Sequence, residues 1–230
     1  MAGRTIAVVI GATGGIGRAI WELLESDGAY ARVIGLSRRS DPALDLTRED
    51  SIEDAANYCA DLGEIRLVVD ATGFLHQDDA MPEKSLRDLD AERLARNFAL
   101  NAIGPALLMK HFLPRLPRKE RAVFATLSAK VGSIGDNRLG GWYGYRAAKA
   151  ALNQLVRTAA VELRRTHPHA LCVAVHPGTV DTELSKPFAK AGLDLQTPEE
   201  AAAAILSTLE GLTHEASGGF FDRTGERLPW

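Results

Sequence analysis

Short runs of almost unbroken apolar residues recur along the chain, and the longer stretches between them carry apolar residues at every third or fourth position. A run of the first kind reads as a strand buried on both faces, and the second spacing reads as a helix with one apolar side. The strands fall at residues 5–10, 31–36, 66–71, 122–128, 171–175 and 219–221, with a short one at 44–46. The first helix carries Ile16, Ala19, Ile20, Leu23 and Leu24 and stops near Gly28. Others cover residues 49–62, 88–116, 145–163 and 198–210, the last opened by Thr197-Pro198-Glu199-Glu200, a capping box with proline at the first helical position. Strands alternating with helices predict one α/β domain over residues 1–230, a doubly wound parallel sheet with helices on both faces.

The first strand runs directly into Gly11-Ala12-Thr13-Gly14-Gly15-Ile16-Gly17. A strand, a glycine-rich turn and a helix form a phosphate site, because glycines admit the ligand to the backbone and the helix start offers free N–H groups and a positive dipole end. A Rossmann-type dinucleotide site is therefore expected, although the spacing is not G-x-G-x-x-G. At the end of the second strand a carboxylate would bind the ribose of NAD, but Ser37-Arg38-Arg39 stands there. That set suits the 2′-phosphate of NADP, so NADP(H) is expected in preference to NAD(H). Asp45 is positioned to accept from an adenine amino group. Ala71-Thr72-Gly73 ends an apolar strand, where Gly73 either passes under a nucleotide or is a plain turn.

Tyr145 and Lys149 stand one helical turn apart, so phenol and ammonium lie on one face. The cation is expected to lower the phenol's pKa and fit Tyr145 for acid–base work. Asn101 lies inside the long 88–116 helix, either bonding something functional or acting as a core polar group tied to a neighbouring carbonyl. Ser128 closes the 122–128 strand at the sheet edge where ligands bind. A glycine-rich loop over 132–142 then shapes a pocket with Trp142 as a wall. The turn Pro177-Gly178-Thr179-Val180-Asp181-Thr182 directs amides and Thr182 toward the ligand, and residues 183–196 read as a movable lid.

With 46% hydrophobic and 25% charged residues and a net charge of −3, the composition is that of an ordinary globular protein. Dispersed charges argue against nucleic acid and anionic membrane surfaces, and no apolar run reaches the length a bilayer needs. A cytoplasmic location is expected. Cys59 and Cys172 read as free thiols, and no metal-ligand spacing is present.

Taken together, these residues make the chain resemble the short-chain dehydrogenase/reductase family over its whole length, within it the C-factor-like and sniffer-type carbonyl reductases. The carriers are the 11–17 turn, Asp45, Asn101, Ser128, Tyr145, Lys149 and the 177–182 turn. Three departures stand out: Ile10 replaces a threonine, Ala71-Thr72-Gly73 replaces Asn-Ala-Gly, and Ser128 lies farther from Tyr145 than usual, leaving Ser133 as the rival hydroxyl. The resemblance implies hydride transfer between NADP(H) and a carbonyl or alcohol. Tyr145 would be the general acid, Ser128 a second donor to the substrate oxygen, Lys149 a partner of Tyr145 and of the nicotinamide ribose, and Asn101 the holder of a water that links Lys149 to solvent. Residues 177–182 would hold the nicotinamide amide. A homodimer or homotetramer remains open, and a nucleotide-binding signalling protein without needful turnover is the alternative.

Overall fold

The computed structural model describes residues 4–76, 81–188 and 195–230. Its element order is β1 (Thr5–Ile10), α1 (Gly15–Asp27), β2 (Arg32–Leu36), α2 (Glu49–Leu62), β3 (Glu64–Asp70), α3 (Ala91–Phe98), α4 (Gly104–Phe112), β4 (Ala122–Leu127), α5 (Tyr143–Leu163), β5 (Ala170–His176), α6 (Pro198–Gly211) and β6 (Phe220–Asp222). The strands pair in parallel in the order β2-β1-β3-β4-β5-β6.

Strand parity divides the core into two layers. Ile6, Val8 and Ile10 of β1 and Ala122 and Phe124 of β4 face the side covered by α2, α4 and α5, while Ala7, Val9, Val123 and Ala125 face α1 and α6. The interiors of β1, β4 and β5 are thus buried on both faces, which is why these runs are apolar without alternation. Cys59 and Cys172 are buried free thiols inside the first layer. The chain order reverses between β1 and β3, and a cleft opens beyond their C-terminal ends at that switch point.

Two expectations from the sequence change. Residues 44–46 form no strand; the segment is a turn in which Asp45 accepts from the Thr47 amide at 2.9 Å and Ser51 donates to the Asp45 carbonyl at 3.1 Å. The expected 88–116 helix is divided: α3 passes through a wider π turn, Ala99–Ile103, before α4 begins at Gly104-Pro105. Pro105 has no amide hydrogen to return to the carbonyl of Asn101, so a regular α-helical ladder has a gap there. Gly104 also lies where a side chain would meet Leu46, at 2.7 Å from its Cβ.

Candidate active site

The glycine turn after β1 is built by close backbone packing. Gly11 has φ +83°, its amide donates to the Leu36 carbonyl at 2.8 Å, and Gly14 N donates back to Gly11 O at 2.9 Å. A Cβ on Gly17 would run into the Gly11 carbonyl oxygen, so α1 can approach the turn only because residue 17 has no side chain. No side chain caps α1 at Gly14, and no acidic residue stands in its first turn. Its Gly15, Ile16 and Gly17 amides therefore lie at an uncapped positive end beside the cleft that Gly11, Thr13 and Gly14 line.

That cleft, about 790 Å³, also receives Ser37, Arg38 and Asp45 from the β2 side and Ala71, Thr72 and Gly73 from the end of β3. Asp45 is held below the usual carboxylate range by the Thr47 amide and hydroxyl, with Arg38 adding to the effect. Arg39 is exposed, and its amide donates to Ser37 Oγ at 3.1 Å. The uncapped amides at the start of α1, with the Arg38 guanidinium and the Ser37 hydroxyl lining the same cleft, fit an NADP-type dinucleotide.

After β5 the chain turns over the glycine loop. Gly178 has φ +82°, and the Pro177 carbonyl accepts from Gln196 Nε2 at 3.4 Å. Buried Val180 bridges to Gln196, and the Asp181 amide donates to the Gln196 carbonyl at 2.8 Å. Thr182 then lies so close to the start of α1 that a Cβ on Gly15 would sit 2.7 Å from its methyl. Of the expected lid, residues 183–188 and 195–196 are described, and residues 189–194 lie outside the described part of the chain. Lys186–Phe188 forms a single turn that brings Phe188 edge-on to Trp142 at 4.9 Å.

Tyr145 and Lys149 occupy successive turns at the start of α5, and both are buried. Lys149 Nζ donates to the Leu127 carbonyl at 2.7 Å and lies 5.9 Å from the centre of the Tyr145 ring. Burial pushes the phenol above its ordinary pKa and the ammonium down to about 8. Desolvation thus raises the phenol where a lowering by Lys149 was expected. Around Tyr145 the walls are apolar: Leu75, Ala129, Val131, Trp142, Leu184 and Phe188.

The family profile described as short chain dehydrogenase matches residues 5–192. The chain belongs to the short-chain dehydrogenase family. This short-chain dehydrogenase is 32% identical to the 1-hydroxy-2-glutathionyl-2-methyl-3-butene dehydrogenase of Rhodococcus sp. (strain AD45), over 97% of this chain and 98% of that one. It is 37% identical to the C-signal protein of Myxococcus xanthus over 64% of this chain and 84% of that protein. Among solved structures, the NADPH-bound carbonyl reductase from chicken fatty liver superposes with TM-score 0.83 at 24% identity, covering 99% of each chain. A carbonyl reductase from Pseudomonas aeruginosa PAO1 matches with TM-score 0.76 at 27% identity over 98% of this chain and all of that one.

Two side chains expected at the site of this dehydrogenase are engaged within the fold. Ser128 does not stand beside Tyr145: its hydroxyl donates to Asn153 Oδ1 at 2.7 Å, and Asn153 is two helical turns beyond Tyr145, about 12 Å along α5. Ala129 is the residue packed against Tyr145. The rival Ser133 is buried and accepts from the Asp136 amide at 3.1 Å. Asn101 spends its side chain on Phe74, accepting from its amide at 2.9 Å and donating to its carbonyl at 2.7 Å. It therefore pins the loop after β3 to the π turn, through the Phe74 amide as well as its carbonyl.

Three supporting residues escaped the sequence reading. Buried Glu83 accepts from the Gly144 amide at 3.2 Å, placing a carboxylate at the positive end of α5. Arg146 donates to the carbonyls of Gly141 and Val131 at 3.0 and 3.2 Å, holding the loop before α5. Asp70 ends β3, a strand read as apolar throughout, and is fully buried. For Asp70 the signal was available, since a carboxylate closing such a run has to be bonded inside the protein.

Proposed function

We propose that this short-chain dehydrogenase is an NADP(H)-dependent reductase of carbonyl compounds, with Tyr145 as the general acid. The observation that carries the reading is the buried Tyr145–Lys149 pair set in an apolar slot at the cleft's edge of the sheet. The nicotinamide, when bound, supplies the hydride that reduces the carbonyl carbon. The residues of this chain supply the rest. The amides of the 11–17 turn and the α1 start would hold the diphosphate, Ser37 and Arg38 the 2′-phosphate, and the 177–182 turn the nicotinamide amide.

Tyr145 keeps its proton at neutral pH because burial disfavours the phenolate, so it is a donor ready for the substrate oxygen. Once that proton has moved, Lys149 is the adjacent cation that stabilises the phenolate left behind. The aromatic and aliphatic walls exclude water and fit a substrate whose carbonyl is attached to an apolar group. Ala129 contributes only a methyl there, which leaves Tyr145 as the hydroxyl this reading assigns to the substrate oxygen.

The test is Tyr145→Phe. NADPH consumption over a panel of aldehydes, ketones and quinones is expected to fall about 10²–10⁴-fold, while cofactor fluorescence titration gives near-parental NADPH binding. Parental turnover in Tyr145→Phe would remove Tyr145 as the acid. The similarity to the C-signal protein favours a second reading, a nucleotide-binding signalling protein. Tight NADPH binding with no turnover across the whole panel would select it.

A further inference from the structure

We propose that Asp70 is the buried counter-ion of Lys149, and that it holds this lysine in the cationic form on which Tyr145 depends; the catalytic consequence rests on the reading above. Asp70 and Thr126 pair across β3 and β4, and both side chains lie on the sheet face that α5 covers. Thr126 Oγ1 donates to Asp70 Oδ2 at 2.7 Å, and Thr72 donates to Oδ1 through its amide at 3.0 Å and through its hydroxyl. Three donors converge on one carboxyl group, the arrangement of an ionised acceptor. One residue beyond Thr126, the Leu127 carbonyl takes the Lys149 ammonium at 2.7 Å. A carboxyl group and an ammonium, both removed from water, are therefore anchored on adjacent residues at the end of β4.

The energetics favour pairing. A lone buried ammonium sheds its proton unless an opposite charge offsets the lost hydration, and a carbonyl dipole is a weaker offset than a full charge. Burial lowers Lys149 to about 8, with Asp70 acting in the opposite direction; burial also raises Asp70, against its three donors and Lys149. The other charged and titratable groups nearby are engaged elsewhere. On α5, Tyr145 is neutral and Arg146 is bonded to the Gly141 and Val131 carbonyls. Beyond β4, Lys130 lies 4.0 Å from Asp136. On β5, burial lowers His176 to about 4, leaving it neutral.

The sign follows directly. Reduction needs the ammonium, so kcat/KM should hold below the Lys149 pKa and fall as pH rises through it, near pH 8 in the parent. Asp70→Asn removes the charge and keeps the shape, and should move that falling limb down by about one unit or more while leaving the acid-side rate near the parent's. Thr126→Val, which loses a hydrogen bond and no charge, should leave the limb in place. A uniform rate loss in Asp70→Asn with an unmoved limb would overturn the proposal, since that is what a structural role gives.

A second readout needs no substrate and no variant. In the parent, ¹³C NMR of the aspartate carboxyl carbons should show Asp70 ionised at about pH 7. A protonated Asp70 there would sink the counter-ion role even if Asp70→Asn failed to fold. Where Asp70→Asn folds, the side-chain NMR titration of Lys149 should show its pKa lowered, and an unchanged value would also overturn the proposal. Because both NMR readings are taken without turnover, they separate failure of this inference from failure of the proposed reductase function.

Discussion

Helices α1 and α6 begin side by side, yet their first turns are finished in opposite ways. A Cβ on Gly15 would lie 3.8 Å from Pro198, so the two N-termini are neighbours at one edge of the sheet. At α6, Thr197 accepts from the Glu200 amide at 3.1 Å, Glu200 accepts from the Thr197 amide at 2.9 Å, and Glu199 and Glu200 answer the dipole. At α1, Gly14, Ile16 and Gly17 stand where α6 has Thr197, Glu199 and Glu200. A helix start completed by its own side chains contributes to stability, whereas the bare start of α1 has the Gly15, Ile16 and Gly17 amides to offer an outside anion. The contrast distinguishes a structural terminus from a binding terminus within a few ångströms.

The largest effect that sharpens this contrast is expected from Gly17→Ala. Its methyl would meet backbone at Gly11, which cannot swing aside as a side chain would, so α1 must shift away from the turn. NADPH affinity by fluorescence titration should fall roughly 100-fold or more, a loss of about 3 kcal/mol. Binding within a few-fold of the parent would break the comparison.

Arg38→Ala comes next, because it removes a charged contact at the far end of the same cleft without touching α1. The ratio of kcat/KM for NADPH over NADH should drop about tenfold, the size of one charge-assisted hydrogen bond. An unchanged ratio would mean that the guanidinium only meets solvent. Thr197→Ala is the smallest. Loss of the cap should lower unfolding free energy in urea by about 1 kcal/mol and leave NADPH affinity unchanged. A matching loss of cofactor affinity would show that the two helix starts are coupled rather than merely adjacent.

What the sequence made legible was local. The glycine turn follows a strand and precedes a helix within a few residues, and Tyr145 and Lys149 share a face through helical spacing alone. The layered sheet was legible for a similar reason, since runs such as residues 5–10 and 122–127 admit no exposed side. Ser128 shows where that logic stops. Its position at the end of β4 and its parity place it on the α5 side, but which turn of α5 it meets depends on how far the helix slides along the strand, and the chain around it does not record that offset. The result is a hydroxyl bound to Asn153 and a methyl, Ala129, beside Tyr145. Asp70 was concealed differently, by sitting at the last position of a run whose other members set the expectation. The break in the 88–116 helix was written at Pro105, a residue that restricts hydrogen bonding wherever it falls.

The π turn at residues 99–103 acts as a phase adjuster. Each helical residue advances the side-chain direction by about 100°, so one additional residue in a single turn rotates everything after it by that angle relative to everything before. Asn101 faces Phe74 within the turn, while Leu108 and Phe112 beyond it face the sheet with no exposed surface. Were the extra residue deleted, the helix would run straight and these two anchors would swing off the core by about a quarter of a revolution. The irregularity thus lets one continuous rod serve two clocks, one set by the loop beneath the cleft and the other by the hydrophobic layer.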